Sequence, residues 1–145
     1  MARSLGAWRR AVAGISLAAG AVGAGALAAQ SAESSGPLTV EIHIRYSHYT
    51  PSSVTVPRGR PVTFILVNDD PIDHEWIVGD AAVHERHRTG TEPYHASRPT
   101  EVSIDAGTTK RTTITFPDAT TLTYICHLPG HEAYGMVGTL TVTTR

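Results

Sequence analysis

The sequence predicts an all-β fold for most of its 145 residues, an antiparallel Greek-key sandwich or barrel of about eight strands. The first reason is that short runs rich in β-branched residues follow one another, with Gly, Pro, Asn or Asp between them. The second is that no long stretch repeats its apolar residues with the period of a helix. Hydrophobic residues make up 41% and charged residues 17%, a balance typical of a chain that folds.

The strands are predicted in order along the chain. Residues 38–46 alternate apolar and polar side chains, so that the even-numbered residues, Leu38 to Tyr46, share one buried face. Residues 54–56 form a short strand, and residues 61–67 are an apolar β-branched run typical of a central strand, which the turn residues 68–71 end. The remaining predicted strands share short apolar runs bounded by turn signals: residues 75–78, 101–104, 110–116, 122–126 and 137–143.

Residues 80–98 do not fit the strand pattern, because they are polar and rich in His. A short helix is predicted at residues 81–88. It would place His84 and His87, three residues apart, on one face. Together with His95 they are candidates for a second metal site. The plainer interpretation of this stretch is a solvated polar loop.

The N-terminal residues have the layout of an export signal. Residues 1–28 combine Arg3, Arg9 and Arg10 with an uncharged apolar run and end on the small-residue pattern Ala-Leu-Ala. Arg9-Arg10 is compatible with the twin-Arg route as well as with Sec. An uncleaved membrane anchor is the alternative. Residues 29–36, rich in Ser, are predicted to be a linker, and residues 37–145 to be the folded domain.

The charge balance argues against a nucleic-acid partner. Twelve basic and 13 acidic residues give a net charge of −1, without the basic excess that nucleic acids require. Loss of the three Arg of the predicted signal leaves 9 basic against 13 acidic residues, a net charge of −4.

The sequence has one Cys, so no disulfide can form within the chain, and it has 8 His. A thiol among many imidazoles indicates a soft-metal site or a thiol nucleophile.

One segment near the C-terminus concentrates the chemistry. Cys126, His131 and Met136 follow one another at equal steps of five residues, between two predicted strands. A thiolate, an imidazole and a thioether are ligands that favour copper, in a trigonal site of two His and one Cys with a weak axial Met. Gly130 and Gly135 each precede a candidate ligand and would let the backbone turn tightly.

Such a site needs a second imidazole, and His74 is the best candidate because it stands where a predicted strand begins. Other interpretations stay open. Cys126 could be a buried core thiol, or a nucleophile activated by a His, although His127 would point to the opposite side of the strand. Met136 could be a core residue, and His74 an ordinary loop His.

The sequence Cys-His-Leu-Pro-Gly-His at residues 126–131, with Met136 five residues later, resembles that of the blue-copper proteins, the single-domain cupredoxins. Within that family, this motif and its spacing most resemble those of the rusticyanin and sulfocyanin-like group. Residues 49–59, 62–68 and 74–75 resemble the first half of that family, and residues 101–145 its second half. The resemblance implies an eight-stranded Greek-key sandwich and one type 1 copper. By position it implies strong ligands at His74, Cys126 and His131, and an axial ligand at Met136.

Three sequence differences distinguish this chain from other copper proteins. Multicopper oxidases carry His-Cys-His in the same loop, whereas Ile125 precedes Cys126 here, so we expect a protein that is not an enzyme. A binuclear copper site of the terminal-oxidase type needs two Cys, and this chain has only one, so such a site is excluded. Many cupredoxins have Asn or Ser after the first His ligand, where it donates a hydrogen bond to the thiolate. Here that residue is Glu75, whose carboxylate cannot donate.

The resemblance implies an extracytoplasmic electron carrier that cycles between Cu(I) and Cu(II). The alternative is a copper-binding protein for trafficking, storage or tolerance without a dedicated redox partner, which the His-rich residues 80–98 favour. We expect a monomer with transient redox protein partners. They would dock on an apolar rim around His131, formed by Leu128, Pro129 and Ala133. Membrane contact is expected only if the N-terminal segment stays uncleaved.

Overall fold

Nine strands and one helix make up the part of the chain that the computed structural model describes, residues 36–90, 95 and 98–144. The predicted export signal, residues 1–28, and residues 29–35 of the predicted linker lie outside that part. The elements are β1 Leu38–Arg45, β2 His48–Thr50, β3 Ser53–Pro57, β4 Pro61–Asn68, β5 His74–Gly79, α1 Ala81–Thr89, β6 Glu101–Ile104, β7 Thr109–Thr115, β8 Thr120–Ile125 and β9 Val137–Thr143.

The strands form two sheets, with the order β2-β1-β4-β7 in one and β3-β9-β8-β5-β6 in the other. The predicted all-β sandwich is confirmed, but not its purely antiparallel pairing. β1 is parallel to β4, and β3 is parallel to β9, while the other pairs are antiparallel. The chain leaves β1, contributes β3 to the other sheet and returns in the original direction as β4. An alternating apolar pattern shows which face of a strand is buried, but it does not show the direction of its neighbour.

The core lies between the two sheets and contains the apolar residues that alternate along the strands. Phe64 of β4 and Trp76 of β5 meet across the sandwich with 4.9 Å between their ring centres. In β1 the even-numbered residues up to Ile44 are the more buried ones, as the alternating pattern predicted, and in β4 every second residue is buried. Tyr46 is an exception to the predicted face. β1 ends at Arg45, Tyr46 takes a left-handed backbone conformation with φ of 54°, and its side chain is 76% exposed.

Both faces of β5 are buried, which explains why its sequence does not alternate. One face points into the core, and α1 packs against the strand. Gly79 allows this close approach, because a Cβ there would collide with the side chain of Val83. The helix predicted at residues 81–88 is present as α1, and Asp80 begins it by accepting a hydrogen bond of 2.9 Å from the Val83 N–H. Within the described residues, no helix is long and apolar enough to cross a membrane.

Candidate metal centre

Three of the predicted ligands converge at one end of the sandwich. His74 begins β5, Cys126 follows β8 directly, and His131 lies in the loop before β9. The Nδ1 atoms of His74 and His131 are 3.1 Å apart, and Cys126 Sγ is 3.3 Å from His131 Nδ1. All three ligand atoms lie within 4.8 Å of one another. Residues far apart in sequence therefore present two imidazole nitrogens and one sulfur to a single point.

The loop that carries the later candidates is closed by its own backbone. The Met136 N–H donates to the His131 carbonyl at 3.1 Å, and the Cys126 N–H donates to the Met136 carbonyl at 3.3 Å. Met136 is thereby drawn back beside Cys126, and its side chain is fully buried. Gly130 and Gly135 have φ of 87° and 93°, a left-handed conformation that favours glycine, so the predicted tight turns are confirmed.

Asp70 fixes the orientation of the His74 ring. The Nε2 atom of His74 lies 2.9 Å from Asp70 Oδ2, and a ring nitrogen that donates its proton to a carboxylate leaves the other nitrogen free to bind a metal. Asp70 is itself held by the backbone N–H groups of Tyr46 and Ser47, at 2.7 Å and 2.8 Å. The turn after β1 thus determines that His74 offers Nδ1.

Glu75 connects β5 to the Cys126 loop, although not in the way that Asn or Ser would. Its backbone N–H donates to Cys126 Sγ at 3.3 Å. Its side chain accepts, because Oε2 lies 3.3 Å from the backbone N–H of His127. The backbone N–H of Glu75 donates to the sulfur, and the carboxylate stabilises the loop.

The protonation states suit a cation. Burial lowers the pKa of both His74 and His131 below the ordinary value for His, so both rings are neutral near pH 7. Burial raises the pKa of the Cys126 thiol to about 11. In the metal-free protein this thiol keeps its proton, and a soft cation has to displace it to bind. Two neutral imidazoles and one displaceable thiol proton fit copper.

The candidates differ in their access to solvent. His74, Cys126 and Met136 are fully buried, whereas His131 is half-buried. Around His131, Leu128 is half-buried and the next apolar residues are exposed: Pro129, Ala133 and Tyr134. Tyr134, with 74% of its surface exposed, extends the predicted rim. His131 is thus the candidate ligand through which the site reaches the surface.

A second cluster lies behind Glu75, and its membership differs from the prediction. His87 and His95 come together with Glu101, and one ligand atom of each lies within 4.8 Å of the others. His84 does not join them. Its Nδ1 instead lies 3.0 Å from Nε2 of His127, the residue that follows Cys126.

Sequence reasoning missed two residues of these sites. Asp70 lies in the turn after β4 and resembles any turn Asp, although its spacing of four residues from His74 was a usable signal. Glu101 begins β6, where its position predicted only a strand terminus. Both acquire their roles from residues that are distant in sequence.

Comparison with known proteins identifies the family. Residues 38–143, which contain all four predicted ligands of the first site, match the family of copper-binding proteins described as plastocyanin/azurin. The chain belongs to this cupredoxin family. Copper is therefore the metal that this fold binds, as the donor set indicated. The narrower resemblance to the rusticyanin and sulfocyanin-like group is not confirmed.

Relatives of this cupredoxin include copper-resistant cuproproteins named CopI. The one from Pseudomonas aeruginosa is 31% identical over an alignment of 146 residue positions, gaps included. The alignment covers 79% of this chain and 80% of the relative. The one from Rubrivivax gelatinosus is 33% identical over 98 residues, which cover 65% of this chain and 59% of the relative.

Similar solved structures include two auracyanins. Auracyanin B has 27% identity and a TM-score of 0.62, with 73% of this chain and 88% of that one covered. Auracyanin A, a blue copper protein from Chloroflexus aurantiacus, has 26% identity and a TM-score of 0.59, with 74% and 100% covered.

Proposed function

We propose that this cupredoxin is an extracytoplasmic one-electron carrier in which His74, Cys126 and His131 hold a type 1 copper and Met136 is the weak axial ligand. The observation that carries the proposal is the convergence of two Nδ1 atoms and one Sγ within 4.8 Å, with one of the three residues half-buried. The bound copper supplies the Cu(I)/Cu(II) couple. The protein holds the ligands in place and gives an electron a route to the surface.

The residues around the site support electron transfer because they keep the ligands in fixed positions. Asp70 holds the His74 ring, and the Glu75 N–H holds the Cys126 sulfur. Both contacts are made within a packed sandwich, so the ligand positions change little between the two oxidation states. A small rearrangement between states is what makes transfer fast.

The surface around His131 supports docking of a redox protein. An exposed or half-buried apolar rim surrounds the one ligand that reaches solvent: Leu128, Pro129, Ala133 and Tyr134. Electron-transfer interfaces are small, often below about 1,200 Å² in total, and a rim of this kind suits a transient contact between a monomer and its partner. The net charge of −4 after loss of the predicted signal favours a partner with a basic face.

A second candidate function is copper tolerance or trafficking. It is favoured by one observation, that relatives at 31% and 33% identity are copper-resistant cuproproteins. The two functions differ in how long the protein should retain its copper. A carrier keeps the ion through many redox cycles, whereas a trafficking protein releases Cu(I) to an acceptor.

The first experiment is a titration of the purified protein with Cu(II). We expect an intense blue or green colour from thiolate charge transfer, saturation at one copper for this site, and bleaching by ascorbate. Cys126→Ser should abolish the colour and leave the β-sheet circular dichroism unchanged. A colourless protein that binds copper only through several His would contradict the proposal.

A second experiment separates the two functions. The copper protein is cycled repeatedly between ascorbate and ferricyanide in the presence of a Cu(I) chelator. A carrier retains its colour through the cycles, and a trafficking protein loses copper to the chelator in the first reduced state.

N-terminal sequencing of the mature protein from the cell envelope tests the location, with a start near residue 29 expected if the signal is cleaved.

A further inference from the structure

We propose that His87, His95 and Glu101 form a second metal site, separate from the copper site, that takes one divalent ion of the borderline class such as Zn²⁺ or Cu²⁺. The three residues come from α1, from position 95 and from the start of β6. Glu101 Oε2 lies 3.8 Å from His87 Nε2 and 3.8 Å from His95 Nδ1. Imidazole and carboxylate together are the ligands of many zinc and copper sites.

The two distances from Glu101 Oε2 fit an ion between these atoms. Ligand atoms about 2.1 Å from a tetrahedral zinc are about 3.4 Å from one another. The separations of 3.8 Å exceed that value by a few tenths of an ångström, which small side-chain rotations can close. They are too long for hydrogen bonds between the same atoms. A cation between Glu101 Oε2 and the two imidazole nitrogens would thus bridge atoms that are too far apart to hydrogen-bond to each other.

The three side chains are prepared for binding by their burial and by their neighbours. The side chains of His87, His95 and Glu101 are 9%, 3% and 5% exposed. The Nδ1 of His87 lies 2.8 Å from the Val83 carbonyl of the same helix, so Nδ1 carries the proton and Nε2 faces Glu101 with its lone pair. Arg98 donates to both oxygens of Glu101 at 3.1 Å, which fixes the orientation of the carboxylate.

Access and further ligands come from the adjoining cavity. A cavity of about 650 Å³ is lined by His87 and His95 and also by Glu75 and His127. It can supply the water that completes the coordination of a three-ligand site. Glu75 Oε1 lies 3.4 Å from His95 Nε2, so a further carboxylate oxygen stands beside the cluster. Arg98, 62% exposed, contacts Glu101 from the solvent side.

The test uses the full chain loaded with one equivalent of copper, which fills the first site and leaves the second one free, and Zn²⁺ as the probe. After desalting, we expect one Zn²⁺ per chain by inductively coupled plasma mass spectrometry. The thiolate-to-copper charge-transfer band should not change. His87→Gln and Glu101→Gln should each weaken Zn²⁺ binding by more than about 100-fold in competition with a chromogenic chelator, since even the loss of an indirect partner costs about 10–100-fold.

The matched control is His43→Gln, because His43 is an exposed His that also contacts two carboxylates, at 2.8 Å and 2.7 Å. This variant should keep its Zn²⁺. Equal loss in the control and in the two site variants, or no Zn²⁺ beyond the copper, would overturn the proposal. The Cys126→Ser chain, which lacks the thiolate, should still bind one Zn²⁺ that His87→Gln removes. The second site is therefore tested even if the proposed copper site fails.

Discussion

The carboxylate of Asp70 accepts a hydrogen bond from His74 Nε2 at 2.9 Å, so that the opposite nitrogen of the ring faces Cys126 and His131. Burial alone would raise the pKa of Asp70, but the N–H groups of Ser47 and Tyr46 and the His74 ring outweigh it and hold that pKa below its ordinary value. The group beside His74 is therefore an ionised carboxylate near neutral pH. It both orients the ring and increases its basicity toward a metal.

Asp70→Asn should lower the affinity for copper by about 10–100-fold, because the amide keeps the size of the side chain but loses the charge that orients His74. The measurement is competition between protein and a Cu(II) chelator, with the charge-transfer band as the readout. Asp69→Asn is the matched control, since Asp69 is an exposed neighbour that contacts His43 and not a candidate ligand. Equal affinities of the two variants would exclude this role for Asp70.

Glu75→Gln should raise the reduction potential of the copper site by an amount on the order of tens of millivolts. The Glu75 carboxylate is close enough to Cys126 for its charge to help raise the pKa of that thiol, and a negative charge there stabilises Cu(II) more than Cu(I). Glutamine keeps an oxygen that can accept from the His127 N–H, so the loop should stay in place. The potential is measured by voltammetry, with Glu85→Gln on the exposed face of α1 as the control, which should leave it unchanged. A lower potential in Glu75→Gln would contradict the electrostatic explanation.

Copper binding should release about one proton per ion at pH 7.5. The Cys126 thiol, with a pKa of about 11, is protonated at that pH and has to lose its proton. Burial holds the pKa of His74 and His131 below 6.5, so these rings are already neutral and release none. The apparent affinity should therefore rise about tenfold per pH unit from pH 7 upward and level off near pH 11.

The proton count is measured with a pH indicator in weakly buffered solution, at protein concentrations far above the dissociation constant. Cys126→Ser, which has no thiol to ionise, should release close to none. Release of no proton from the unmodified chain would show that the thiol is already ionised without metal.

The sequence was sufficient for those parts of the site that lie close together in the chain. Cys126, His131 and Met136 share one loop, so their spacing and the intervening glycines already described its geometry. His74 could be predicted because strand ends gather at one end of a sandwich. β2 was missed because three residues, His48–Thr50, are too few to show an alternating pattern.

The contacts that orient the site residues could not be predicted from the sequence in the same way. Asp70 acts through backbone groups more than 20 residues earlier in the chain, at Tyr46 and Ser47, and Glu101 meets His87 through the packing of α1 over β5. Such partners are determined by how the sheets pair, and alternating hydrophobicity does not specify the pairing. The contact of His84 with His127 could not be predicted for the same reason, since a face of a helix is predictable but the surface it covers is not.

Gly138→Ala should destabilise the fold by about 1–3 kcal/mol, because it inserts a methyl group into a packed space. Gly138 lies opposite Tyr124 in the pairing of β9 with β8, and a Cβ there would overlap the Tyr124 ring. The ring cannot simply move away. It is fully buried, and its hydroxyl donates to the Pro51 carbonyl at 2.8 Å.

Urea unfolding of the metal-free protein, followed by circular dichroism, measures the change in the free energy of unfolding. Gly36→Ala is the control, because a Cβ at Gly36 meets nothing within 4 Å. Tyr124 stands two residues before Cys126 on the same face of the chain, so a displaced ring should also shift the charge-transfer band. A Gly138→Ala protein as stable as Gly36→Ala would mean that the Tyr124 ring has room to move, and that this part of the core does not hold the Cys126 loop rigidly.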